Sequence, residues 1–162
     1  MRVRTVNLCA AMLGVALVFV SPARAQKQKD YITSTETEKI REAVDPNDRI
    51  RLFLSFASDR LKQLQYELDH PANTARRAER LNGLVSSFSS CIDEAVDRME
   101  LSVEKQEDVR EGIKALQTQA PEFLAYLKNL SVKGPERNTY KENLEDAIAS
   151  TEDAIRSATD SA

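Results

Sequence analysis

Residues 81–99 read LNGLVSSFSSCIDEAVDRM. Leu81, Val85, Phe88, Ile92, Ala95 and Met99 recur at spacings that alternate four and three, a heptad-like pattern sustained over nearly three heptads. At about 100° per residue these side chains form one apolar stripe along a helix. Such a stripe favours side-by-side packing against neighbours at a shallow crossing angle of about 20°. Asn73 or Thr74 is the expected cap before this helix. Ser102 is its expected end, or the cap of the helix that follows.

The same reading extends in both directions. Upstream, Asp45-Pro46-Asn47-Asp48 is a strong start signal: an acid that caps, a proline suited to the first helical turn, and a further acid at the positive end of the dipole. Ile50, Phe53, Ala57, Leu61, Leu64 and Leu68 then form a stripe that Pro71 stops. Before it, a short helix runs to about Val44 with Ile40, Ala43 and Val44 as its apolar side. Thr35 and Glu38 have capping-box spacing there, and Thr33 and Glu36 are the competing register. Downstream, Val109, Ile113, Leu116, Ala120, Phe123, Leu127 and Leu130 hold their phase straight through Pro121, which suggests a kink rather than a new direction. Gly134 and Pro135 end that helix. The last one starts near Glu136, with Tyr140, Leu144, Ala147, Ile148, Thr151, Ile155 and Ala158 on its apolar side. The expectation is an all-α, up-down-up-down four-helix bundle with a short extra N-terminal helix, formed as a single domain by residues 26–162.

The N-terminus reads differently. Arg2 and Arg4 precede an uncharged apolar run from Leu8 to Val20, and Ser21 and Pro22 then break it before an A-x-A site, Ala23-Arg24-Ala25. This is the layout of a secretory signal peptide over residues 1–25, cleaved before Gln26. The run is too short for a stable span of about 20 residues. The expected location is therefore the periplasm or the outside of the cell.

The chain has 23 Lys and Arg against 26 Asp and Glu, a formal net charge of −3. Removing residues 1–25 takes away three arginines and no acid, so the remainder is more acidic still. That surface argues against nucleic acid, which needs a basic footprint, and against a polybasic membrane-surface role. Of the two cysteines, only Cys91 survives cleavage, so no intramolecular disulfide forms.

No motif for catalysis, metal or cofactor is complete. His70 is the only histidine. Glu67 to His70 matches one E-x-x-H element, but a di-iron bundle needs two of them with two further inward Glu. Both residues also fall about 200–260° away from the core stripe. Zinc would need a second His or a Cys pair. No nucleophile elbow surrounds a serine. The acids, among them Glu100, Glu104, Glu107, Asp108 and Glu111, sit off the stripes.

Leu52 and Phe56 are the exception to the pattern. They point roughly 200–240° around from Ile50, nearly opposite the core. Either the short first helix covers them, or they form a surface for self-association or for another protein. Cys91, at the edge of its stripe, is either a small buried hydrophobe or a bridge between chains. Leu52, Phe56 and Cys91 are thus the candidate interaction surface. The expected role is a structural or protein-interaction module, with no enzyme activity and no cofactor. The alternative is a small-ligand or stress-response binder of the cell envelope, of a holdase-like kind. The L-T-x-x-Q string of small periplasmic helical chaperones is not met; the nearest string is Leu116-Gln117-Thr118-Gln119.

Overall fold

A computed structural model describes residues 31–72 and 74–162. The expected signal segment, the polar residues after it and the candidate cap Asn73 lie outside the described residues. The described chain is all-helical: α1 (Ser34–Glu42), α2 (Pro46–Asp69), α3 (Arg77–Glu104), α4 (Arg110–Lys133) and α5 (Lys141–Asp160), with one 3-10 turn at Arg137–Thr139 before α5. The five helices pack against each other around a common apolar core.

Helix starts follow local chemistry where a cap exists. Thr33 caps α1 and forms a full capping box with Glu36, so the competing register prevails over Thr35. Asp45 caps α2 through the backbone N–H of Asn47, with Pro46 in the first turn. The other starts differ from expectation. The N-cap of α3 is Arg76, not Thr74, and no side chain caps it. Ser102 caps nothing: it is buried inside α3, and its hydroxyl donates to Glu107 Oε2 at 2.8 Å. The last helix begins at Lys141 rather than Glu136, because Glu136 takes a left-handed φ of 52° and the chain makes the 3-10 turn first. Pro121 lies on the exposed side of α4, which runs on unbroken.

All the expected stripe residues of α2, α3 and α4 are buried. On α5, Ile148 and Ile155 are only half-buried, and Ala154 takes a core place instead. The principal packing pairs are α2 with α3, α4 with α5, α3 with α5, and α2 with α4. The consecutive helices α3 and α4 are not among them, although a short turn joins them.

Two polar clasps tie the helix ends. Asn47 sits at the start of α2 and is 9% exposed. Its Nδ2 donates to Asp45 Oδ1 at 3.0 Å and to the Asp108 carbonyl at 2.7 Å, and its Oδ1 accepts the Gly112 N–H at 2.8 Å. The first turns of α2 and α4 therefore lie together. A Cβ at Gly112 would stand 2.6 Å from Ile50 Cδ1, so an alanine there would force the Ile50 side chain to shift. The second clasp is ionic. Arg77 Nε donates to Glu136 Oε2 at 2.9 Å, and Nη2 donates to Glu136 Oε1 at 2.7 Å and to the Glu67 carbonyl at 2.8 Å. Beside it, Asn143 Nδ2 donates to Asn82 Oδ1 at 2.7 Å, joining the first turns of α3 and α5.

Candidate interaction face

Leu52, Phe56 and Arg60 follow one another at intervals of four on α2, so they share a face. That face meets α1, because Arg60 pairs with Glu36. Phe56 is 3% exposed, with its ring edge-on to Phe53 at 6.2 Å. Leu52 is half-buried against the core. Cys91, on α3, is fully buried. Phe56 and Cys91 are therefore buried and not presented at the surface of the described chain, and of the three candidates only Leu52 stays partly exposed. The physical reason is that α1 has a second helix face to lie on, which the off-stripe apolar groups supply.

The polar chemistry of this region was not legible as a site. Glu36 Oε2 accepts from Arg60 Nη2 at 2.7 Å and from the Thr33 N–H at 2.8 Å. Burial opposes its charge, but the hydrogen bonds from Arg60 and Thr33 prevail and hold its pKa below the usual 4.5. Its bond to Glu36 raises the Arg60 pKa further, against the effect of burial. Arg60 Nη2 also donates to the Tyr31 carbonyl at 2.9 Å, and the Tyr31 hydroxyl to Glu94 Oε1 at 2.9 Å. Burial pushes the Cys91 thiol up to about 11, although the Arg60 charge pulls it down. At neutral pH it is a protonated thiol and a poor nucleophile. The available signal was spacing: Arg60 continues the Leu52–Phe56 line, and a cation there calls for an acid opposite.

Beyond the start of α1, the groove between α2 and α3 stays open. It holds about 730 Å³ and is walled by Ile32, Tyr66, Gly83, Leu84 and Ser87, with Arg80 and Glu67 at its rim. Tyr66 is 62% exposed and stacks on His70 with ring centroids 4.3 Å apart. His70 ends α2, with Nδ1 3.0 Å from the Tyr66 carbonyl. A Cβ added at Gly83 would meet nothing within 4 Å. A glycine inside a helix costs about 0.8–1 kcal/mol relative to alanine. Gly83 is itself exposed, and nothing among the described residues occupies the space beside it. Neither Tyr66 nor Gly83 stood out in the sequence, where one reads as a polar-face aromatic and the other as a helix-interior glycine.

Among the described residues, no cluster of three or more His, Cys, Asp and Glu could hold a metal ion, and no helix is long and apolar enough to cross a membrane. The chain matches no known protein family, no curated protein and no solved structure.

Proposed function

We propose that the chain is an exported helical bundle, its four long helices alternating up-down-up-down, that acts as a protein-interaction module and not as an enzyme. One observation carries this reading. The groove between α2 and α3 is bordered at one end by Tyr31, Ile32 and Thr33, just before α1, and among the described residues it stays open beside Tyr66, Leu84 and the exposed Gly83, with Lys62, Glu67 and Arg80 adding charge to its lining. An amphipathic helix of a partner protein, lying where α1 leaves off, fits that shape. Export rests on the tripartite leader over residues 1–25, and it is checked by sequencing the N-terminus of the secreted protein, which should begin at Gln26.

The small-ligand or holdase-like alternative has less support. Exposed large apolar side chains among the described residues are Val44, Tyr66, Leu101, Val103 and Val132. Val44 and Leu101 share one pocket, but Asp45, Arg49, Arg98, Lys105, Glu107 and Asp108 make most of its lining charged, and Tyr66 lines a different one.

The groove reading is tested by photo-crosslinking in the producing cell, with benzoyl-phenylalanine placed at Tyr66, at Gly83, and at the exposed control position Lys114 on α4. A discrete adduct from both groove positions and none from Lys114 supports it. No discrete adduct from the groove, or the same adducts from Lys114, overturns it.

A further inference from the structure

Alone among the five helices, α1 buries no apolar residue fully; its one buried residue is Glu36. At 9 residues it is shorter than the roughly 12–15 that make an isolated helix even marginal in water. Apolar help comes from side chains that remain partly exposed, Tyr31, Ile32 and Ile40. The capping box closes the helix on itself, without reaching the bundle. Polar ties to the bundle are the Glu36–Arg60 pair, with side chains 11% and 9% exposed, the bonds through Tyr31 and, at the C-cap, the bond from Arg49 Nε to the Ala43 carbonyl at 2.7 Å. A buried ion pair gains little over its desolvation cost while intact, and losing one partner is severe. None of the principal packing pairs of the bundle involves α1.

We infer that α1 is an ionically latched strap, which lifts as a unit ahead of the bundle and uncovers Phe56 and Cys91. Phe56 lies one turn from Arg60 on α2. Cys91 lies one turn from Glu94, the Tyr31 partner, on α3. Lifting therefore opens both at once, while α2 to α5 keep their mutual contacts. The strap supplies Ile32 to the wall of the neighbouring groove, so its opening is measured on the purified chain with no partner present.

Cys91 is the reporter. In the full chain carrying Cys9→Ser it is the sole thiol. Its labelling by a thiol reagent is followed as a function of urea, under conditions where closing outpaces reaction, so that the rate reports the opening equilibrium. The expected result is two branches: a nearly flat one at low urea, from an opening that exposes little surface, and a steep one that merges with global unfolding. Glu36→Gln is the decisive variant, because glutamine still serves the capping box and only the charge is lost. It should raise the low-urea rate by at least about tenfold, with the urea midpoint of the helical circular-dichroism signal nearly unmoved. A single steep branch down to zero urea in the parent protein would mean that Cys91 is reached only by unfolding the bundle, which overturns the strap. A flat branch that Glu36→Gln leaves in place would overturn the latch.

Discussion

The two clasps do the same mechanical work with opposite chemistry. Asn47 joins the starts of α2 and α4 through neutral hydrogen bonds in a site nearly closed to water. Arg77 joins the end of α2 to the α4–α5 turn through a guanidinium and two carboxylates that water reaches: the Glu136 side chain is 37% exposed, and Arg80 shares Glu67 with Arg77. Close packing accompanies the first clasp, where Gly112 admits Ile50. Open space lies beside both clasps: a pocket lined by Asp45, Pro46, Ser102, Glu107 and Asp108 at the first, and the groove beside Tyr66 and Gly83 at the second. Asn47 and Arg77 are buried to a similar degree, 9% and 11% exposed, so the difference lies in the groups that bond and not in how much water stands nearby. A neutral amide is strong only where every donor and acceptor is met, whereas an exposed ion pair tolerates water and a neighbouring ligand.

The largest expected effect is therefore at the neutral end. Asn47→Ala strands the Gly112 N–H and the Asp108 carbonyl and removes a bridge between two helices. We expect a loss of about 2–3 kcal/mol in urea unfolding, independent of added salt. A loss below about 0.5 kcal/mol would show that water replaces the amide and that this end is not dry. Gly112→Ala follows, at about 1–2 kcal/mol, from crowding against Ile50 Cδ1. Ile50→Val deletes that methyl group. The double variant should thus lose less than the sum of the single losses, and strict additivity would mean that the backbone, not Ile50, resists the added carbon.

At the ionic end, Glu136→Gln should destabilise less than Asn47→Ala, and its effect should shrink with added salt. Its pH dependence has a definite sign. Hydrogen bonding from Arg77 holds the Glu136 carboxyl below its ordinary 4.5. The stabilisation it brings is present above that value and is lost as pH falls through the lower folded value. Thermal melts of the parent protein and Glu136→Gln should differ at pH 7 and converge in acid. Curves that stay apart in acid would mean that the glutamate acts through its left-handed backbone instead of its charge.

Most of the bundle was legible because its cores obey one period. Every stripe residue expected on α2, α3 and α4 is buried, and phase alone was enough to carry α4 through Pro121. What failed is what periodicity does not encode. Arg76 and Tyr140 start helices with no capping side chain, so there was no cap to find. Glu136 adopts a left-handed conformation at a position no glycine marks. Gly134 instead keeps ordinary dihedrals, and it is required because a Cβ would stand 2.4 Å from the Leu130 carbonyl oxygen. The candidate surface was half legible. Leu52 and Phe56 stood out as off-stripe apolar groups, and the structure buries Phe56 and half-buries Leu52, but the acid that pairs beside them, Glu36, read as an ordinary first-turn glutamate.

Gly83 offers the smallest effect, with the opposite sign, at the ionic end. Its Cβ position is empty, so Gly83→Ala should stabilise the protein by about 0.5–1 kcal/mol, the helical cost of glycine recovered. Destabilisation would mean that α3 bends or moves there and needs the glycine for itself. If the gain is found, the glycine is retained against stability, and a larger side chain separates the remaining causes. Gly83→Gln keeps helix propensity and fills the space beside Gly83. A variant as stable as Gly83→Ala that no longer gives the Tyr66 crosslink would assign the space to a partner. One that crosslinks like the parent would make the groove a passive gap between α2 and α3, and the ionic end would then differ from the Asn47 end only in how it is clasped.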